Sequence, residues 1–237
     1  MRKEQTNTGS KWVTGLMSLI YPSTCLSCCS PLYNHESYLC KECYSHLALT
    51  GYENLADNPV AQLFWGRVPL EFAASLFFYR KGETLQQLIK IMKYRGEPEA
   101  GVYLGQIAGR LLSRSSLFAR PDFIMPVPLH PAKERKRGYN QCEKIAEGMS
   151  PLINAPVDTT LLFRRINNSS QTTKSRYERW ENVDTIFGLN QPEEYQGSHI
   201  LLIDDVITTG STIEACCHAL LAIPDLKISV VSIAYSH

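Results

Sequence analysis

The spacing of apolar positions divides the chain into an irregular first third and a regularly patterned remainder. From Phe72 onward, short apolar runs alternate with segments of helical period. Residues 72–79 read as a strand, closed by the turn Arg80-Lys81-Gly82-Glu83. Over 84–94, Leu85, Leu88, Ile89 and Met92 share one helical face, and over 102–112 Leu104, Ile107, Ala108 and Leu111 do the same. A strand over 122–128 runs into a proline-stiffened basic loop, and a helix is predicted over 142–149. Residues 161–165 form a short strand. Residues 200–203 are apolar at every position, which marks a strand buried on both faces. A helix with Ile213, Ala215, Cys216, Ala219 and Leu220 follows, and 227–234 is a last apolar strand. This alternation predicts an α/β fold, a mostly parallel sheet flanked by helices. Residues 49–70 carry little pattern and read as a connection.

The amino end is different. Residues 1–10 are polar, and the apolar run over 12–21 is short and interrupted by Thr14 and Ser18. Trp12, Leu16, Leu19 and Ile20 fall at helical spacing, so a short amphipathic helix is expected rather than a signal peptide. No run approaches the ~20 apolar residues of a membrane span, and a cytoplasmic setting is expected. The expected organisation is a tail with its helix (1–22), a cysteine module (23–50) and an α/β domain (70–237). A net charge of +1 offers no global argument for a polyanionic partner. Positive charge is uneven, however. Lys133, Arg135, Lys136, Arg137, Lys144, Arg164, Arg165, Lys174, Arg176 and Arg179 crowd one central region, which could line an anion site or a nucleic-acid groove.

Five of the eight cysteines fall between 25 and 43. Cys25-x-x-Cys28 and Cys40-x-x-Cys43 form two knuckles, a spacing at which four thiolates close a tetrahedron around zinc. Cys29 is an alternative to Cys28, and His35 or His46 could replace a thiolate. Two disulfides or redox pairs are the competing readings, but disulfides need an oxidising compartment that nothing else here supports. So small a module has almost no core, and the metal would supply its folding free energy. Cys142, Cys216 and Cys217 read as ordinary buried thiols.

The chemistry concentrates after the central strand, in Asp204-Asp205-Val206-Ile207-Thr208-Thr209-Gly210-Ser211-Thr212. Thr208, Thr209, Gly210, Ser211 and Thr212 offer backbone N–H groups and hydroxyls at a helix start, a cradle for phosphate. Gly210 permits a close approach or a positive φ. Asp204 and Asp205 would repel that phosphate unless they face sugar hydroxyls, or a divalent metal held by those hydroxyls. A phosphate plus a vicinal diol describes a ribose 5-phosphate. Neither a P-loop nor a dinucleotide-binding glycine pattern occurs. The loop over 129–141 follows a strand, is basic and opens a helix, as a second phosphate site would; His130 in it reads as a structural residue. The polar stretch 171–183 reads as a lid, with Arg176 or Arg179 reaching the phosphates, or as a solvated surface helix.

The string from Ile200 to Thr212 resembles the phosphoribosyl-pyrophosphate (PRPP) signature of type I phosphoribosyltransferases. Over nearly its full length the chain resembles the ComF family of competence-associated, GntX-like proteins. The resemblance rests on the paired cysteines, on Lys93-Tyr94-Arg95-Gly96, on Arg137-Gly138-Tyr139-Asn140-Gln141, on Gln171-Thr172 with Arg176, Arg179, Asn182 and Val183, and on the 204–212 loop. The pair Thr173-Lys174 departs from the small or apolar pair usual in the fourth box. The resemblance implies a type I phosphoribosyltransferase fold with a zinc module, binding PRPP with magnesium. Asp204 and Asp205 would contact the ribose hydroxyls and Thr208 to Thr212 the 5-phosphate. Arg137, Lys93 and Arg176 would face the leaving pyrophosphate. It also implies a role in natural transformation, handling single-stranded DNA with a helicase-like partner. Three classes of function follow: an active transferase with an unknown base acceptor, a PRPP-sensing or DNA-binding protein without turnover, and an adaptor that docks through its knuckle.

Overall fold

The computed structural model describes residues 23–33, 35–165 and 186–236. The helix expected over 12–21 and the 171–183 stretch with Arg176 lie outside the described residues. The chain forms two compact units, Met1–Leu47 and Ala48–His237.

In the first unit, a bridge between Thr24 and Pro31 closes the first knuckle. A short helix, α1 (Lys41–Ser45), opens at the second, and the Cys40 sulfur accepts the Cys43 N–H at its start.

The second unit is built on a four-stranded parallel sheet in the order β1-β6-β5-β2, with β1 Phe72–Phe78, β2 Phe123–Pro126, β5 His199–Ile207 and β6 Lys227–Tyr235. All-parallel sheets are covered on both faces. Accordingly, Leu201, Leu202, Ile203, Val230 and Val231 are wholly buried in the two central strands. Around the sheet lie α3 (Thr84–Tyr94), α4 (Pro98–Leu112), α5 (Pro131–Arg137), α6 (Gln141–Ile153) and α7 (Ser211–Leu220). A separate antiparallel pair, β3 (Leu162–Arg164) with β4 (Phe187–Leu189), stands apart from the main sheet.

The expected α/β class and parallel sheet are present, with three local differences. First, 49–70 is no bare connection. Thr50 N–H donates to the Leu76 carbonyl and Phe78 N–H to Ala48, so this segment covers the β1 edge. A short helix, α2 (Pro59–Gln62), follows, and Val60 and Phe64 enter the core. Second, the basic loop contains α5, a helix that starts on Pro131 and whose first N–H, that of Ala132, donates to His130 Nδ1 at 3.1 Å. His130 is thus structural, as expected. Third, β5 does not stop before its acids. Aspartate disfavours strands, but pairing with β6 continues from Asp204↔Ser232 to Ile207↔Tyr235 and overrides that preference.

Helices α4 and α6 touch backbone to backbone. A Cβ on Gly105 would lie 2.0 Å from the Ile145 carbonyl oxygen, and one on Gly148 would lie 2.0 Å from that of Val102. Such a contact fixes α6, whose amino end reaches the site described next.

Candidate functional site

The carboxyl end of β5 carries the site, the place where open parallel sheets bind ligands. Gly210, at φ +75°, turns the chain from β5 into α7, and among the described residues no side chain caps that helix. The first intrahelical bond comes from Glu214 N–H to the Gly210 carbonyl, so the N–H groups before it have no partner within the helix. Thr208, Thr209, Ser211 and Thr212 are exposed around them, with Thr209 Oγ1 2.9 Å from Ser211 Oγ. The loop encloses a hollow of ≈ 40 Å³. Helix-start N–H donors, hydroxyls and a helix dipole all converge there, which suits an anion.

The two acids beside the loop are not equivalent. Asp205 pairs with Lys93 of α3 at 2.7 Å, so one negative charge is already matched. Asp204 accepts the Asp205 N–H at 2.8 Å and the Cys142 thiol of α6 at 3.6 Å. Burial, and then the neighbouring Asp205 charge, push the Asp204 carboxyl up to about 7. Burial and the same two acids push the Cys142 thiol well above its usual range, so it stays protonated and donates.

Asn140 sets α6 in place. Its Oδ1 caps Cys142 N–H at 3.0 Å and its Nδ2 donates to the Val127 carbonyl at 3.0 Å, tying the helix to the end of β2. Tyr139 donates its hydroxyl to the Met92 carbonyl, joining α6 to the helix that carries Lys93. Arg137 lies 5.7 Å over the Tyr94 ring and donates to Gln141 Oε1. The Lys93 and Arg137 boxes are therefore joined through neighbouring residues. A larger cavity of about 290 Å³ opens at the end of β2, between Pro126, Pro128 and Asn140 on one side and Phe163 and Arg164 on the other.

Of the residues expected from sequence, Asp204, Asp205, Thr208–Thr212 and Lys93 come together, with Arg137 attached through Tyr94. Arg176 lies outside the described residues. Sequence reasoning missed Cys142, read as an ordinary core thiol, although it directly follows the Arg137–Gln141 box. It also missed Phe64 and Arg67, which back the loop across more than a hundred residues and leave no local signal.

In the first unit, the sulfurs of Cys25, Cys28, Cys40 and Cys43 lie within 4.8 Å of one another, and all eight cysteines are free thiols. Metal–sulfur bonds of ~2.3 Å place tetrahedral sulfurs about 3.8 Å apart, so the cluster can hold a metal with little movement. Cys28, 3.6 Å from the Cys40 sulfur, is the member of the cluster. Cys29 stands exposed at φ +61°, and neither histidine joins.

Residues 139–236 match the family profile described as the phosphoribosyl transferase domain. The larger unit therefore has the type I phosphoribosyltransferase fold. The chain is 31% identical over 144 residues to the DNA utilization protein YhgH of Escherichia coli K12, covering 58% of this chain and 61% of that one. It is 29% identical over 139 residues to competence protein F of Haemophilus influenzae (55% and 59%), and 30% identical over 148 residues to competence protein ComFC of Bacillus subtilis (60% and 56%). By these relatives the chain is similar to proteins of the ComF family. The matches span about three fifths of the relatives' own length. Among solved structures, the glutamine PRPP amidotransferase of B. subtilis with ADP and GMP is similar at 14% identity and a TM-score of 0.43, over 60% of this chain and 30% of that one. Among the described residues, no helix is long and apolar enough to cross a membrane.

Proposed function

We propose that the carboxyl end of β5 binds PRPP with magnesium and serves phosphoribosyl transfer to a nitrogen acceptor. One observation carries this reading: an acid pair partly matched by Lys93 lies directly beside an uncapped, hydroxyl-rich helix start. Thr208 to Thr212 would take the 5-phosphate, and Asp204 and Asp205 the ribose hydroxyls. Carboxylate and hydroxyl oxygens are the donors that Mg²⁺ accepts, and Asp204 and Asp205 would hold it through those hydroxyls. When bound, the metal would neutralise charge on the pyrophosphate. Transfer breaks the bond from ribose C1 to the pyrophosphate oxygen, which leaves with the electron pair, and forms a bond from C1 to the acceptor nitrogen. Lys93 and Arg137 are the chain's own cations for the departing charge; one well-placed stabilising donor is worth ~2.7–4 kcal/mol.

Calorimetry with PRPP and Mg²⁺ tests the site. Micromolar binding by the wild type, lost in the Asp204→Asn/Asp205→Asn double variant, is the expected result. A folded wild type that binds no PRPP would overturn the reading.

The cysteine cluster is proposed to hold structural zinc, because four thiols with no oxygen donor favour a soft, tetrahedral ion. Free thiols throughout fit a cytoplasmic setting. Mass spectrometry of the native protein should return one zinc per chain. The Cys40→Ser variant should lose most of it, and a metal-free wild type of native fold would refute the proposal.

A second reading, single-stranded DNA binding, is favoured by a particular surface. Tyr94 is 75% exposed with Arg137 over its ring, and α5 presents Lys133, Arg135 and Lys136 to solvent. Exposed aromatics stack bases while cations follow phosphates. The relatives' names point to DNA use and competence. The helicase-like partner rests on the ComF resemblance alone. Fluorescence anisotropy with a labelled oligonucleotide should show weaker binding by Tyr94→Ala and by Arg135→Glu/Lys136→Glu. Equal affinities at low salt would count against this reading.

A further inference from the structure

The phosphate loop is held from behind by residues that precede the matched domain. Asn58 anchors α2 to the sheet: Nδ2 donates to the Ala73 carbonyl at 2.9 Å, while Oδ1 caps Val60 and Ala61 at 3.0 Å. The turn after α2 then sets the buried Phe64 ring against Gly210, where an added Cβ would lie 2.9 Å from the ring edge.

Three residues further on, Arg67 spreads its guanidinium over three groups. Nη1 donates to the Leu63 carbonyl at 2.9 Å and to the Thr209 carbonyl at 3.2 Å. Nε donates to Glu214 Oε1 at 3.0 Å, and Nη2 donates to Glu214 Oε2. Both interactions bear on the loop. A trans peptide points its carbonyl and the following N–H in opposite directions. Holding the Thr209 carbonyl toward Arg67 therefore turns the Gly210 N–H the other way. Glu214 lies in the first turn of α7, where a bare carboxylate would oppose a phosphate at the helix start. The Arg67 fork matches that charge in bidentate fashion, and its hydrogen bonds hold the Glu214 carboxyl below the usual range.

We propose that Arg67 is a positioning residue of the phosphate loop: it fixes the Thr209–Gly210 peptide and cancels the Glu214 charge so that a sugar phosphate can be held. This rests on reading the loop as the PRPP cradle.

The test uses the full chain as wild type, Arg67→Met, Glu214→Gln and the double variant, each checked for an unchanged thermal midpoint. PRPP with Mg²⁺ is titrated by calorimetry, and amide exchange over 208–212 is followed without ligand. Arg67→Met should bind PRPP about tenfold more weakly, and adding Glu214→Gln should recover at least about threefold of that loss. A brace without an electrostatic role would show no such recovery. Exchange over 208–212 should quicken in Arg67→Met. Wild-type affinity in Arg67→Met, no recovery in the double variant, or unchanged exchange each overturns the proposal. A wild type that binds no PRPP overturns the reading of the cradle instead, and exchange alone then decides whether Arg67 positions the loop.

Discussion

Replacing Gly148 by alanine is expected to lower the thermal midpoint by about 10 °C. Alanine favours a helix over glycine by ~1 kcal/mol, so an isolated α6 would gain from the change. The neighbouring helix reverses the sign. The new Cβ would fall 2.0 Å from the Val102 carbonyl oxygen, a backbone atom that cannot rotate away, and the Gly105–Ile145 contact constrains the same pair of helices. Separating the two backbones also removes packing from buried Leu104, Ala108, Ile145 and Met149. Overpacking of this kind costs ~3 kcal/mol or more, against a total stability of about 5–15 kcal/mol for a domain. Thermal and urea unfolding check the result, and a midpoint within about 2 °C of wild type would refute it. The folded variant should also bind PRPP poorly, because α6 carries Asn140 and Cys142 to the acids of β5.

That contact shows what apolar spacing can and cannot reveal. Leu104, Ile107 and Ala108 locate α4 and its inward face, since helical period is a local property. Whether two helices meet through side chains or through backbone depends on glycines on separate elements facing each other, which no local pattern records. The site divides in the same way. The acid pair and the loop from Thr208 to Thr212 stand out in the sequence because they are contiguous and combine carboxylates with a hydroxyl-rich helix start. Lys93 was legible only through resemblance and Arg137 only as one of several bases in the 129–141 loop, as basic residues are common and their convergence depends on the Tyr139–Met92 and Tyr94–Arg137 links. Phe64 and Arg67 were illegible: a short helix with two core residues has too few positions to show a period. The cysteine spacing announced a four-ligand cluster, but choosing Cys28 over Cys29 needed the backbone, which turns through φ +61° at Cys29 and leaves its side chain outside.

Asp204→Asn is expected to separate stability from binding. In the fold, burial and the Asp205 charge hold the Asp204 carboxyl at about 7, whereas an unfolded aspartate titrates near 3.9. Between about pH 4 and 7 the native state thus keeps a proton that the unfolded chain has released. The contribution of Asp204 to stability falls as pH rises through that window and stays level above it, so the ionised carboxylate is a standing cost at pH 8. Asparagine keeps an oxygen to accept the Asp205 N–H and the Cys142 thiol but carries no charge. Relative to wild type, the variant should be no more stable near pH 4, gain progressively to pH 7, and hold a gain on the order of 2 kcal/mol at pH 8 after discounting for solvent screening. For a chain of this size that is a rise of about 5 °C in thermal midpoint. PRPP binding should move the opposite way, because the amide replaces the charged acceptor proposed for the ribose hydroxyls. A midpoint offset that is the same at pH 5 and pH 8 would mean that Asp204 is ionised across the whole range, and that Lys93 neutralises both acids of the pair rather than Asp205 alone.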